Sequence, residues 1–341
     1  MKLSDYNYEL PSDLIATEPP ETRGSTRLMY LKLRKKTIID TYYSKLDEYL
    51  ESGDTIILND TRVIRARFKA LDKKGQVREI ILLEKHSFDS DWHIHKIMYR
   101  RKLNVGDMLF VGDTELKVKS IDGDGTATVV STKDLLNLTD QYGEVPLPPY
   151  MHREAKPLDI ERYQTVWAKD KGSVAAPTAS LNMTVELLDR LKMKGVNIAY
   201  LTLHVGLGTF LPIRTDRIED HHMHKEYFIV PKSTVELIQL TKESGKRVIA
   251  IGTTVARTLE YLNKSFVQPP KDLFGEADIF IYPGYEFKVI DGLLTNYHAP
   301  KSTVLMLTAA FAGWDNLLPA YKHAIELKYN FLSYGDSMLI I

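Results

Sequence analysis

The 341-residue sequence contains no cysteine, which excludes disulfides, thiolate nucleophiles and Cys-ligated zinc or iron–sulfur centres. It carries no net charge either: 45 Lys and Arg balance 45 Asp and Glu. That balance argues against a protein that simply coats nucleic acid. One locally basic face remains compatible with it, because local potential matters more than the sum. Long apolar runs are also missing. The longest, near Thr303 to Trp314, is too short to span a bilayer and reads as a buried helix. Met1 to Pro11 lacks the basic and apolar regions of a secretory signal. A cytoplasmic protein with no membrane association is expected. No stretch matches the P-loop or the full dinucleotide fingerprint, and there is no internal repeat.

What is present is an ordinary globular composition, 44% apolar and 26% charged. The length points to two domains. Thr37 to Tyr43 and Thr55 to Leu58 read as strands; the second ends in the polar turn Asn59-Asp60-Thr61. From about Val63 to Val130 the chain offers short runs rich in β-formers: Arg78–Leu83, Trp92–Met98, Met108–Val111 and Thr126–Val130. Turns such as Lys74-Gly75 and Gly112-Asp113 separate them, as in a small sheet or barrel. Pro146, Pro148 and Pro149 form a stiff exit.

Beyond them, strands alternate with helices. Val185–Leu191 is helical in spacing and Asn197–Leu203 is a strand. A helix starts at Ser233, with Glu236 at capping-box spacing and Gly245 beyond its end. Arg247–Ile251 and Asp278–Tyr282 read as further strands, with a helix from Thr253. The expected fold is therefore a mixed α/β main domain, residues 1–60 with 150–341, carrying an inserted small β-barrel at 61–149.

Three loops follow apolar strands: His204 to Phe210, Gly252-Thr253-Thr254, and Pro283-Gly284-Tyr285. Ligands in α/β sheets bind beyond the carboxyl ends of strands, and helix N-termini favour anionic groups. Each loop alone is equally compatible with an ordinary tight turn. His298, at the mouth of the apolar helix beside Asn296, is a candidate acid or base; Ser302 reads as that helix's cap. His221, His222 and His224, with Glu226, lack the His-x-x-x-His spacing of a helical zinc site, so no metal is expected. Arg65, Arg67 and Lys69 alternate with apolar residues and would share one strand face. With Arg100 and Arg101 they form a candidate RNA-backbone surface, or simply a solvated face.

Taken together, these segments resemble the S-adenosylmethionine:tRNA ribosyltransferase-isomerase family of queuosine biosynthesis. The resemblance runs from near Tyr8 to near Leu339. It rests on Asn59-Asp-Thr-Arg-Val63, Pro146-Leu-Pro-Pro-Tyr150, Gly172 to Ala179, His204 to Phe210, Gly252-Thr-Thr254, Phe280 to Tyr285, Thr295 to Thr303 and Ser333-Tyr-Gly-Asp336, in that order. It implies an α/β domain with an inserted barrel and S-adenosylmethionine (SAM) used as a ribosyl donor and co-substrate. The acceptor it implies is 7-aminomethyl-7-deazaguanine in a tRNA anticodon, the product epoxyqueuosine, and the leaving groups adenine and methionine. A monomer is implied as well.

On this basis His204 and His298 are assigned to proton transfer, with Asp60 as a supporting carboxylate. Gly206, Gly208, Thr209, Thr253 and Thr254 are expected to cradle SAM. Phe210 and Tyr285 would be aromatic walls for its sulfonium, and Arg257 would meet its carboxylate. Ala176, Pro177, Thr178, Asn182 and Asn296 are expected at the substrate. Two segments depart from the family. The histidine usual after Pro-Thr-Ala-Gly-Leu is Asn182 here, which hydrogen-bonds but cannot shuttle a proton near pH 7, and Met98-Tyr99-Arg100 replaces a usual Arg-Pro-Ala. These departures leave open a paralogue that uses SAM on another deazaguanine acceptor, or a non-catalytic tRNA-binding protein.

Overall fold

The computed structural model describes residues 1–87, 91–123, 125–206 and 213–341. The chain begins with β1 (Arg27–Lys32), β2 (Thr37–Tyr42), β3 (Thr55–Asn59) and the short β4 (Thr61–Val63). Six strands follow: β5 (Arg67–Asp72), β6 (Val77–Leu82), β7 (Ile94–Tyr99), β8 (Met108–Val111), β9 (Thr114–Ile121) and β10 (Thr126–Ser131). They close into an antiparallel barrel in the order β10-β7-β6-β5-β8-β9. Side chains on a strand alternate between faces, and β9 shows it: Thr114, Leu116 and Val118 are buried while Glu115, Lys117 and Lys119 face solvent. This strand was not marked in the sequence, although its alternation is regular.

Helices α1 (Leu135–Tyr142) and α2 (Pro157–Arg162) lead back to β11 (Asp170–Ser173), which pairs in parallel with β4. The remaining elements are α3 (Val185–Met193), β12 (Asn197–Leu203), β13 (Glu226–Val230), α4 (Lys232–Glu243), β14 (Val248–Ile251) and α5 (Thr253–Tyr261). They continue with β15 (Leu273–Ala277), β16 (Gly292–Asn296), α6 (Thr303–Ala312), α7 (Trp314–Glu326) and β17 (Ser337–Ile340).

A nine-stranded sheet runs β15-β13-β12-β3-β14-β16-β17-β1-β2. Its centre, β12-β3-β14-β16, is parallel. Parallel strands are covered on both faces, and all five residues of β3 are buried. Ile57 packs with Val235 and Ile238 of α4 and Val255 and Leu259 of α5. Its neighbours Ile56 and Leu58 point the other way, onto Leu187 and Leu191 of α3.

Two elements differ from the sequence reading. The helix expected at Ser233 starts at Lys232, after Pro231, without a side-chain cap; the Lys232 N–H donates instead to Asp272 Oδ1 at 2.7 Å. Asp278–Tyr282 is not a strand. The strand lies just before it, at Leu273–Ala277, antiparallel to β13. Gly275 hid it, because glycine weakens strand propensity; here the Phe228 ring lies 3.3 Å from where a Cβ would stand on Gly275.

Asn59 ends β3 where the chain turns toward the barrel. It is completely buried. Its amide donates to Leu203 O at 2.9 Å and accepts from the Leu203 and Thr61 N–H groups at 3.0 and 3.1 Å. The Asn59 carbonyl accepts from Trp167 Nε1 at 2.9 Å. One side chain thus holds the ends of β3 and β12 together. Replacing it with alanine strands three buried backbone groups, so Asn59→Ala should cost about 3 kcal/mol in urea denaturation. Asp134, half-buried, caps α1 by accepting the Leu136 and Asn137 N–H groups, and its loss in Asp134→Ala should cost about 1 kcal/mol. Equal effects would show that the clamp contributes nothing special.

A candidate ligand site at the carboxyl ends of the central strands

The parallel order aligns the carboxyl ends of β12, β14 and β16. Val205, Gly252–Thr254 and Asn296–His298 follow those ends, and a pocket opens there. The Ala176–Ala179 segment supplies one wall, and Tyr150 and Ser333 another. Gly252 adopts φ +100° at the start of α5, a conformation that favours glycine. Its N–H donates to Leu294 O at 2.7 Å, tying β14 to β16. No side chain caps α5, so the first N–H groups of the helix remain available to a ligand. Thr254 Oγ1 and Asn296 Oδ1, both in pocket-lining residues, are buried without a hydrogen-bond partner among the described residues. Such atoms are costly unless something polar meets them.

His298 lines this pocket. Its Nε2 pairs with Thr295 Oγ1 at 2.8 Å, and its N–H donates to the Tyr321 hydroxyl at 3.0 Å. Tyr8 donates to its carbonyl. Burial lowers its imidazole to about 3, so the ring is neutral near pH 7.

His204 sits elsewhere. Successive residues of an extended segment face opposite sides: Val205 lines the pocket, and His204 turns toward β4 and β11. Its Nδ1 pairs with Thr61 Oγ1 at 2.8 Å, and it stacks on Tyr227 with centroids 6.3 Å apart. A Cβ on Gly172 would come within 2.9 Å of its ring, so only glycine admits it there. Burial, helped by the Lys85 charge, lowers it to about 3.

Asp60 lines a third place, a shallow concavity with Trp167, Lys169 and Tyr200. It accepts from Thr202 Oγ1 at 2.6 Å, and burial raises its carboxyl above the ordinary range. The structure therefore does not gather His204, His298 and Asp60 at one pocket.

Of the other anticipated residues, Ala176, Pro177, Thr178, Thr253, Thr254 and Asn296 share the pocket with His298. Gly208, Thr209 and Phe210 lie outside the described residues. Gly206 donates its N–H to Glu226 Oε1 at 2.9 Å. Asn182 is buried outside the pocket lining and reaches Gly335 O at 3.4 Å, next to the Asp336 carbonyl that Asn296 contacts at 3.3 Å. Tyr285 donates to Glu260 Oε2 at 3.2 Å and meets Phe287 edge-on. Glu260, which also accepts the Lys288, Val289 and Ile290 N–H groups, raises the Tyr285 phenol to about 12, second to burial. Arg257 lies one turn into α5, in an adjoining smaller cavity, ion-paired with Glu226.

On the barrel, Arg67 and Lys69 do share the outer face of β5, with Phe68 and Ala70 inward. Lys69 is already paired with Glu144 and Glu154, at 3.1 and 3.4 Å, and Arg100 with Glu79 at 3.3 Å. Arg65 and Arg101 form no ion pair among the described residues. Tyr150, Ser333 and Glu226 were not anticipated as site residues. Tyr150 and Ser333 lay inside quoted blocks, but only the fold shows that their hydroxyls meet at the pocket. Among the described residues no group of three or more His, Asp or Glu side chains could hold a metal ion, and no helix is long and apolar enough to cross a membrane.

Fold and site define an α/β protein with an inserted antiparallel barrel and a pocket at the ends of its parallel strands. Residues 3–340 match the family model described as "Queuosine biosynthesis protein", and the chain belongs to that family. An S-adenosylmethionine:tRNA ribosyltransferase-isomerase of Pelodictyon phaeoclathratiforme is 52% identical over 344 residues, covering 100% of both chains. One from Sulfurihydrogenibium sp. is 45% identical over 350 residues, again covering 100% of both. A crystal structure of S-adenosylmethionine tRNA ribosyltransferase from Thermotoga maritima is similar at 34% identity and TM-score 0.57, covering 99% of this chain and 100% of that one.

Two buried histidines, with the half-buried His298 of the pocket, make a pH prediction. His95, stacked on Trp92 with Nε2 at 2.8 Å from Leu83 O, is lowered to about 4 by burial; His204 and His298 are lowered to about 3. The unfolded chain protonates them near 6.5, so between about pH 6.5 and 4 it binds more protons than the folded one. Stability is full above that window and falls as pH falls through it. His95 and His204 should each contribute a slope approaching about 1.4 kcal/mol per pH unit. Urea denaturation from pH 7 to 5 should show this, with a shallower slope in His95→Phe. A flat profile would contradict the burial of these rings as neutral groups.

Proposed function

We propose that this chain transfers and isomerises the ribosyl moiety of SAM onto 7-aminomethyl-7-deazaguanine in a tRNA anticodon. The product would be epoxyqueuosine, with adenine and methionine released. Family membership supports the reaction class. The observation that carries the reading to this pocket is the pair of buried, partnerless atoms Thr254 Oγ1 and Asn296 Oδ1 beside the uncapped start of α5. A nucleoside with ribose hydroxyls offers both donors and acceptors to such a set.

In this reading Thr253, Thr254 and Asn296 orient the sugar, and Ala176, Pro177 and Thr178 form the wall on the acceptor side. A sulfonium acidifies the C5′ hydrogens beside it, so removal of one starts loss of adenine. His298 is the pocket's base. It is neutral near pH 7, and Thr295 fixes its orientation. His204 acts as a positioning residue that joins the end of β12 to β4 through Thr61. The barrel, residues 61–149, faces the tRNA, with Arg65 and Arg101 free to meet phosphates; residues 1–60 with 150–341 hold the chemistry. The protein works as a monomer and without a metal.

The test is adenine release from SAM in the presence of tRNA bearing the aminomethyl base, with adenine and the modified nucleoside followed by mass spectrometry. Stoichiometric adenine and epoxyqueuosine are expected, despite Asn182. His298→Ala should lower kcat by about 10²-fold or more with tRNA affinity unchanged. Undiminished turnover would remove His298 from the mechanism. Absence of adenine from the folded wild type would overturn the reading.

A further inference from the structure

The concavity beside Asp60 shares no wall with the His298 pocket. Its origin is in the sheet. β13 pairs with β12 only through Thr202 and Leu203, so among the described residues the outer edge of β12 is open below them. A notch of about 420 Å³ forms between that edge, Trp167 and the start of α4, which is room for a small organic molecule. The Asn197 N–H and the Leu201 carbonyl are turned the other way, bonded to Asp54 O and Asp60 N. Alternation therefore turns the Ile198 and Tyr200 peptide groups to the notch side. There Thr234 Oγ1 donates to Tyr200 O at 2.7 Å.

Asp60 brings a charge into this notch. It accepts from Thr202 Oγ1 at 2.6 Å and makes no ion pair among the described residues. Burial raises its carboxyl, and the Asp170 charge adds to the rise; Lys169, exposed on the rim, offsets this only in part. A half-buried carboxylate without a matching cation is costly. Beside it stand two half-buried rings, Trp167 and Tyr200, with centroids 6.3 Å apart and planes inclined at 58°. The Trp167 N–H is already engaged with Asn59 O, so its ring meets a ligand through its apolar surface.

A carboxylate flanked by aromatic rings complements an organic ammonium: the charge meets the carboxylate, and the rings hold the cation and its nearest methylenes. A hard metal ion asks for several oxygen ligands, and the notch turns one carboxylate to its ligand. Ile198, Pro231 and Leu237 supply an apolar wall suited to a short alkyl chain. A carboxylate on the same ligand would be repelled by Asp60 and Asp170 together.

We propose that the Asp60–Trp167–Tyr200 notch binds a primary alkylammonium, a small amine that is neither donor nor acceptor in the transfer reaction. The ammonium rests on the Asp60 carboxylate, and the alkyl chain lies along Ile198 and Leu237. The site is independent of what fills the His298 pocket.

The sequence has three tryptophans, Trp92, Trp167 and Trp314, so a nitrogen–proton correlation spectrum shows three indole signals, and Trp167→Phe identifies the one that matters. Titration with n-butylammonium should move the Trp167 signal alone, with half-saturation at about 1 mM, as suits one ion pair and one ring contact. The neutral n-butanol should leave it in place. Norvaline, which is the same amine with a carboxylate added, should bind at least about fivefold more weakly. Potassium and magnesium ions at matched ionic strength should not displace the amine. Asp60→Asn keeps the side-chain shape and removes a charge that has no counter-ion, so the fold is not at risk; affinity for n-butylammonium should fall about tenfold or more. An unmoved Trp167 signal, an equal response to n-butanol, or undiminished affinity in Asp60→Asn would overturn the proposal. Equal binding of norvaline would also overturn it, by showing that Lys169 takes a carboxylate, and displacement by potassium or magnesium would make the notch an inorganic cation site instead.

Discussion

Asn59 is the point on which the arrangement depends. A parallel pair of strands has hydrogen bonds along its length but no turn to fix where it stops. Here the stop is set by one buried amide that satisfies the Leu203 N–H and C=O together. Because β12 ends in register with β3, Val205 turns into the pocket and His204 turns away. The same residue is where the chain leaves the sheet for the barrel, with Trp167 bonded to its carbonyl. Sheet, pocket wall and barrel connection therefore share one hydrogen-bonded corner.

The pocket works by leaving a few polar atoms unanswered in a largely apolar, neutral setting. Its imidazole is uncharged, its hydroxyls come from threonines, serines and Tyr150, and the start of α5 brings N–H groups without a capping side chain. Low local polarity strengthens each contact that a ligand makes. Full charges are kept one step away, in the Arg257–Glu226 pair. The outer face of the barrel is treated differently: two of its five candidate basic side chains, Lys69 and Arg100, are already matched by Glu79, Glu144 and Glu154. This is how a chain of zero net charge leaves unpaired cations at chosen places only.

Much of the fold was legible in the sequence. The inserted barrel followed from short strands between Gly and Asp turns, and the α/β alternation from periodicity. The cap at Ser302 was visible and accepts the Leu305 N–H at 3.2 Å. The start of α4 was misjudged because Asp272, which meets its first N–H, is 40 residues away. The strand at Leu273–Ala277 was missed because Gly275 answers to a packing demand from Phe228. At the site, loops after strands were the right place to look, since Thr253, Thr254, Asn296 and His298 converge there. What sequence reading could not supply was facing. It cannot tell that His204 and Val205 point to opposite sides, that Asp60 opens into a separate concavity, or that Tyr150 and Ser333, 183 residues apart, meet at the wall.

The central claim is that the ends of β12, β14 and β16 hold the donor nucleoside. A crystal structure of the protein with SAM tests this most directly. The account predicts density for the ribose against the start of α5, with Thr254 Oγ1 or Asn296 within hydrogen-bonding distance of its hydroxyls. SAM bound in full occupancy elsewhere, such as the concavity beside Asp60 and Tyr200, with this pocket empty, would contradict it.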